Sequence, residues 1–180
     1  MTTANKLTML RMLLIPVFLL LMHLSYDYAR MAAFAVFAIA SITDFVDGYI
    51  ARHYNQITNF GKFMDPLADK MLVVSAMCCF VRNGQMEDWM LAIVLLREFA
   101  ISGMRLIAAE RGEVIAAAWS GKVKTAATMV CICLMLLAHE SWMPFSTYVD
   151  PICNCVIVGT TLYSGIEYLY KNRKLFREGV

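Results

Sequence analysis

The sequence predicts an all-α integral membrane protein, with six transmembrane helices in one domain spanning residues 1–180 and both termini in the cytoplasm. Three observations carry that expectation. Of the 180 residues, 60% are hydrophobic and 17% charged, with a mean hydropathy of +0.60. A water-soluble domain of this length must cover itself with polar surface and rarely reaches such values. Apolar stretches also recur along the chain, several of them close to the roughly twenty residues that cross a hydrocarbon core as a helix. Finally, lysine and arginine fall almost wholly on one set of stretch ends.

The spans follow in order. Residues 7–24 form the first; no small-residue cleavage site interrupts the apolar run, so it reads as a retained span rather than a removed signal. The polar turn SYDYAR leads to the second, residues 31–46, which runs directly into an aspartate-rich segment. The third covers 67–81 and is broken by RNGQMED. The fourth, 89–109, carries Arg97, Glu98 and Arg105. The fifth is 125–138 with its flanks, and the sixth is 148–169. An even number of spans puts both termini on one side. On that side lie thirteen basic residues: Lys6, Arg11, Arg52, Lys62, Lys70, Arg105, Arg111, Lys122, Lys124, Lys171, Arg173, Lys174 and Arg177. The opposite ends hold two, Arg30 and Arg82, and Arg97 falls inside a span. Basic loops stay cytoplasmic, so this asymmetry orients the chain. The formal charge of +2 says little about partners, and no nucleic-acid partner is expected. The cysteines (Cys78-Cys79, Cys131-x-Cys133, Cys153-x-Cys155) lie in apolar spans without zinc-site spacing and read as small hydrophobes.

The chemistry gathers in residues 44–69, DFVDGYIARHYNQITNFGKFMDPLAD. On a helix, Asp44, Asp47 and Ala51 share a face, with Gly48 beside them. Asp65 and Asp69 are four apart and share a face of the next helix, with Pro66 in its first turn. Two antiparallel helices joined by the polar loop 52–62 would bring four carboxylates together. Unpaired, such like charges raise one another's pKa; one or two divalent cations resolve the repulsion. Hard oxygen donors without histidine or cysteine nearby point to Mg2+ or Mn2+ rather than zinc. Gly48 and Ala51 leave a shallow wall for a flat group such as a nucleobase. Arg52 suits a phosphate, and Gly61, just before the second helix, suits close backbone approach. Taken singly, Gly48 and Gly61 are as well explained by helix packing. Four carboxylates at a membrane boundary are not, because ionisable groups there are costly and mark function.

The pattern D-x2-D-G-x2-A-R-x8-G-x3-D-x3-D, met at Asp44, Asp47, Gly48, Ala51, Arg52, Gly61, Asp65 and Asp69, resembles the signature of the CDP-alcohol phosphotransferase family. The resemblance implies six transmembrane helices, a homodimer, and a site open to the cytoplasmic face of the bacterial inner membrane. It also implies displacement of CMP from a CDP-linked donor by an alcohol, without a covalent enzyme intermediate. By the same resemblance, Asp44, Asp47 and Asp65 would hold two divalent metals. Asp69 would be the general base and touch one metal. Asp44, Gly48, Ala51, Arg52, Gly61 and Asp65 would bind the CDP moiety.

The second half bears on the alcohol. The segment LREFAISGMRLIAAERGEVIAAAWSGKVKTAAT and the opening NKLTMLRMLLIP resemble the phosphatidylglycerophosphate synthase branch of that family. Thr128 departs from it, standing where that branch often has glutamine. The branch takes CDP-diacylglycerol as donor and glycerol 3-phosphate as acceptor. Independently, Arg105, Lys122 and Lys124 lie at cytoplasmic span ends where they could bind an acceptor phosphate, with Arg111 as a further candidate. Ordinary positive-inside charge accounts for Arg111 and explains Arg105 poorly. Arg97 beside Glu98 fits a structural ion pair or a substrate contact. Two alternatives stand against this reading. The acceptor could be inositol phosphate or serine, or the carboxylates could line a cation channel or transporter. The latter needs polar residues in several other spans, and spans one, three and five look nearly free of them.

Overall fold

The computed structural model describes residues 3–24, 28–53, 59–110, 118–138 and 146–173; within these, the side chains of 3–7, 44–53, 59–63, 65, 66, 69 and 146 are not described. The described residues form six helices: α1 (Thr3–His23), α2 (Ala29–His53), α3 (Asn59–Arg82), α4 (Asp88–Glu110), α5 (Trp119–Ala138) and α6 (Ser146–Lys171). At a rise of about 1.5 Å per residue, each is about as long as a hydrocarbon core is thick. Helices α5 and α6 are long and apolar enough to cross a membrane, and shorter apolar helices cover Thr8–His23 and Ala29–Thr43.

The helices run further into the polar segments than the apolar pattern indicates. Helix α2 continues past residue 46 to His53, and α3 begins at Asn59. Of the polar connection expected over 52–62, residues 52–53 and 59–62 are therefore helix. Gly61 is the third residue of α3 rather than a residue before it. Pro66 lies beyond the first turn, in a helix interior where its missing N–H leaves one carbonyl without its usual bond. Helix α5 starts at Trp119, which places Lys122 and Lys124 inside its first two turns. Hydropathy marks where a helix meets lipid, not where its backbone bonding stops, and polar turns extend each helix past that point.

The break after α3 is a capped turn. Gly84 adopts a left-handed φ of 71°, and the Gln85 and Gly84 N–H groups bond back to Phe80 and Val81 carbonyls at 2.9 and 3.1 Å. Glycine takes this conformation without a Cβ clash. At the start of α4 the Asp88 carboxylate accepts a bond from the Trp89 N–H at 2.7 Å.

Packing pairs α1 with α2 and α5 with α6 most extensively; α1 also lies on α3, and α4 on α6. Helices α4 and α6 run in the same direction, since Arg97 meets Ser164 and Arg105 meets Tyr168. Buried positions recur every three or four residues, as inward stripes must. On α1 they are Thr8, Arg11, Ile15, Phe18 and Met22; on α6 they are Cys153, Ile157, Thr161, Ser164 and Tyr168. The apolar core gathers Phe18, Phe37, Phe80, Met77, Met135 and Ile157, with the Phe18 and Phe37 rings 6.0 Å apart and tilted. The outside is apolar too: Leu13, Leu20, Leu96, Phe99 and Ile166 are each more than 60% exposed. Apolar residues thus lie both inside and outside the bundle, a pattern consistent with a lipid setting.

The stripes change character along their length. Helix α5 buries Ser120, Lys124 and Thr128 first, and then Cys131, Ile132 and Met135; α6 reverses the order, from Cys153 and Ile157 to Ser164 and Tyr168. Thus spans one and five, expected to be nearly free of polar residues, bury Thr8, Arg11, Ser120, Lys124 and Thr128. These polar residues collect at one end of the bundle and give way to the apolar core.

Candidate functional site

Helices α2 and α3 carry the aspartate signature as continuous helix. Asp44, Asp47, Gly48, Ala51 and Arg52 lie in the last part of α2, and Gly61, Asp65 and Asp69 in the first half of α3. Helical spacing puts Asp44 and Asp47 on one face, and likewise Asp65 with Asp69. Their side chains lie outside the described residues, as do those of Gly48, Ala51, Arg52 and Gly61. Arg111 falls outside the described residues altogether.

One residue beyond Asp69, the Lys70 ammonium donates to the Ser102 hydroxyl on α4. That hydroxyl in turn donates to the Glu98 carbonyl at 2.7 Å. A serine bonded to the carbonyl four residues back is a common way for a helix to hold a hydroxyl in an apolar setting. Here it joins the signature helix to α4.

The Glu98 carboxylate is the centre of the described polar region. Its Oε1 accepts from Lys124 Nζ on α5 at 2.6 Å and from Arg97 Nη1 at 2.8 Å. The Lys124 and Glu98 side chains are 6% and 17% exposed, so both charges are largely removed from water. Arg97 continues to α6, where Nη2 donates to the Ser164 hydroxyl at 2.5 Å. Arg97 Nε is buried with no hydrogen-bond partner in the structure. A glycine faces the Arg97 side chain from α5 and another from α6: a Cβ on Gly121 would lie 3.5 Å from Arg97 Nη2, and one on Gly165 would lie 3.4 Å from Arg97 Cγ. Sequence alone left Arg97 and Glu98 undecided; the structure makes them an ion pair, with Lys124 as third member.

The basic residues expected to bind an acceptor phosphate are spread over different surroundings. Lys124 is buried in the Glu98 network. Arg105, exposed, donates from Nε to the Tyr168 hydroxyl at 3.3 Å and lies 5.6 Å from the centre of that ring, within cation–π range. Lys122, two residues before Lys124, turns to the outer face of α5. It lines an apolar groove of about 580 Å³ with Trp119, Val123, Ala126, Val130 and Val156. Two residues on a helix are about 200° apart, so Lys122 and Lys124 diverge. Thr128 is buried, its hydroxyl without a hydrogen-bond partner in the structure.

Sequence reading missed Lys70, Ser102, Ser164 and Tyr168 as members of this region. The signal was present on α6, where Thr161, Ser164 and Tyr168 repeat at steps of three and four through an apolar span.

The chain matches the family model described as CDP-alcohol phosphatidyltransferase over residues 1–163. It is 41% identical to the CDP-diacylglycerol–glycerol-3-phosphate 3-phosphatidyltransferase of Bacillus subtilis, covering 93% of each chain. To a probable phosphatidylglycerophosphate synthase of Mycobacterium tuberculosis it is 43% identical, over 92% of this chain and 79% of the other. To the CDP-diacylglycerol–glycerol-3-phosphate 3-phosphatidyltransferase of Shigella flexneri it is 38% identical, over 91% and 90%.

Proposed function

This chain belongs to the CDP-alcohol phosphatidyltransferase family, and on that premise we propose that it transfers the phosphatidyl group of CDP-diacylglycerol to glycerol 3-phosphate. The products are phosphatidylglycerophosphate and CMP. One observation carries this reading: 41% identity, across 93% of both chains, to a bacterial protein named for that reaction.

The setting is a single membrane domain over residues 1–180, a homodimer in the bacterial cytoplasmic membrane, with all six helices spanning. Both termini and the aspartate ends of α2 and α3 face the cytoplasm. The apolar exterior and the one-sided placement of lysine and arginine support this orientation. The donor's acyl chains then stay in lipid while its cytidine reaches the aqueous mouth.

Four carboxylates with no histidine or cysteine among the signature positions form a donor set suited to divalent ions, Mg2+ or Mn2+. Their three- and four-residue spacing on continuous helix fits such a role. Asp44, Asp47, Asp65 and Asp69 would hold the ions. When bound, the ions neutralise the pyrophosphate and stabilise charge on the departing CMP. Gly48, Ala51, Arg52 and Gly61 complete the CDP site. Arg105, Lys122, Lys124 and Arg111 supply positive charge for the acceptor phosphate.

Asp69 acts as general base. An alcohol is a weak nucleophile at neutral pH, so a carboxylate within hydrogen-bond reach must take its proton. As the proton passes to Asp69, the acceptor oxygen bonds to the phosphorus that carries diacylglycerol, and the bond from that phosphorus to CMP breaks. The test is CMP release by purified protein in detergent with CDP-diacylglycerol and each of glycerol 3-phosphate, inositol phosphate and serine. Turnover should require glycerol 3-phosphate; turnover with only one of the others sinks the assignment of acceptor.

A further inference from the structure

Glu98 holds two cations on one oxygen. Lys124 and Arg97, from different helices, both donate to Oε1, at 2.6 and 2.8 Å. Buried charges persist when paired and hydrogen-bonded, and removing one partner leaves the other uncompensated. Here one carboxylate faces two cations, so this trio carries a net positive charge inside a largely dehydrated region. Lys70, held on Ser102 of the same helix as Glu98, adds to that field and repels Lys124.

The trio is arranged so that donors are left over. A lysine ammonium has three N–H donors and a guanidinium five. Glu98 takes one from Lys124; from Arg97, Glu98 and Ser164 take one each, and Nε is buried with no hydrogen-bond partner in the structure. A lysine without an anchor has four rotatable bonds and would sample many positions. Held by Glu98, its head has one place, and it lies within the helix that carries the remainder of the G-K-x-K-T segment.

We propose that Glu98 is a positioning residue of the acceptor site: its carboxylate, braced by Arg97, fixes the Lys124 ammonium where its remaining N–H donors meet the acceptor's phosphate. This rests on the phosphorylated-alcohol acceptor proposed above. Glu98 itself does not touch the substrate. Its negative charge opposes phosphate binding, and the fixed cation outweighs that repulsion. Two opposed effects therefore decide the sign of its removal. If Glu98 only damps the positive field, a neutral replacement tightens acceptor binding. If it positions Lys124, the same replacement weakens acceptor binding.

The experiment is steady-state kinetics of purified Glu98→Gln, Glu98→Asp, Lys124→Gln and the double variant Glu98→Gln/Lys124→Gln, with each substrate varied. Loss of one charge-assisted contact costs about ten- to a hundredfold, so Glu98→Gln should raise KM for glycerol 3-phosphate by about tenfold or more. The KM for CDP-diacylglycerol and kcat at saturating acceptor should stay within about twofold, as loss of uniform ground-state binding requires. Glu98→Asp, which keeps the charge, should recover part of the loss. The double variant should be no worse in acceptor KM than Lys124→Gln alone, because Glu98 acts through Lys124. An unchanged or lowered acceptor KM in Glu98→Gln overturns the proposal, and so does an equal rise in donor KM or additivity in the double variant. Should Glu98→Gln not fold, Glu98→Asp decides alone: an acceptor-selective rise in KM supports positioning, and an equal rise for both substrates overturns it. Wild-type acceptor preference is read in the same preparations. If another phosphorylated alcohol is the acceptor, the substrate reading fails while the KM ratios with that acceptor still decide the role of Glu98. A neutral acceptor overturns both.

Discussion

The two ends of this bundle use the same helices for opposite purposes. At one end Phe18, Phe37, Phe80, Met77 and Met135 fill the interior. At the other, α4 carries Arg97 and Glu98, while the inward stripes of α5 and α6 turn polar at Lys124, Ser164 and Tyr168. In lipid there is no hydrophobic drive to bring helices together, so association rests on packing contacts and interhelical hydrogen bonds. The aromatic and sulfur-rich end supplies packing. The polar end supplies bonds between α3, α4, α5 and α6, and it holds charges that a purely structural bundle would not need. Charge at one end is tolerable because the other end fixes where the helices lie.

That comparison sharpens most at the proposed base. Removing a general base costs about a hundred- to ten-thousandfold, so Asp69→Asn should abolish most turnover while CDP-diacylglycerol binding remains measurable. Asp44→Asn should instead weaken divalent-ion and nucleotide binding together. Turnover assays beside binding isotherms separate the two roles, and near-normal turnover in Asp69→Asn removes the base assignment.

The second test works at the apolar end. Phe37 is fully buried, tilted against Phe18. Truncating a buried phenylalanine costs about 3–5 kcal/mol in soluble cores, and about 3 is expected here because lipid replaces part of the drive. Phe37→Ala should lower the thermal midpoint in detergent while the surviving protein keeps both KM values. A selective change in acceptor KM would mean that the two ends are not separable.

The sequence made the helices and the aspartate signature readable, for different physical reasons. Apolar runs report where a helix meets lipid, so all six helices could be counted, yet their ends could not. The extensions of α2 to His53 and of α5 back to Trp119 are polar turns that hydropathy does not register. The aspartates are local, within 26 residues, and their spacing is itself the message. The Glu98 network is not local. Arg97 and Ser164 are 67 positions apart, and Lys124 and Glu98 are 26 apart. No spacing rule joins residues on different helices until packing is known. Lys122 and Lys124 show the same limit, since adjacent charges in a string diverge once the helix is drawn through them.

The third test divides those lysines and their neighbour. If Lys124 meets the acceptor phosphate, Lys124→Gln should raise acceptor KM by about ten- to a hundredfold, with the donor KM much less affected. Arg105→Gln should do less, because Arg105 is exposed and already engaged with Tyr168. Lys122→Gln, at the outer groove, should do least of the three. Kinetics with each substrate varied gives the order, and an equal rise in donor KM for all three would assign this charge to the pyrophosphate instead.

The smallest effect belongs to the end away from the charges. Asn154, buried on α6, donates from Nδ2 to the Gln85 carbonyl at 2.8 Å and so ties the turn between α3 and α4 to α6. The turn already has its own cap at Gly84, so this bond is an addition to a structure that forms without it. Interhelical hydrogen bonds in membrane proteins average about 0.6 kcal/mol, with a maximum of about 1.7. Asn154→Ala leaves the Gln85 carbonyl without this donor and removes the buried Asn154 Oδ1, which has no hydrogen-bond partner in the structure. These two changes oppose each other, which holds the net loss to about 1 kcal/mol. A small fall in thermal midpoint with both KM values and kcat unchanged is therefore expected. A change in acceptor KM from this position would show that α6 transmits strain along its length to Ser164 and Arg97, and the division between the two ends would fall.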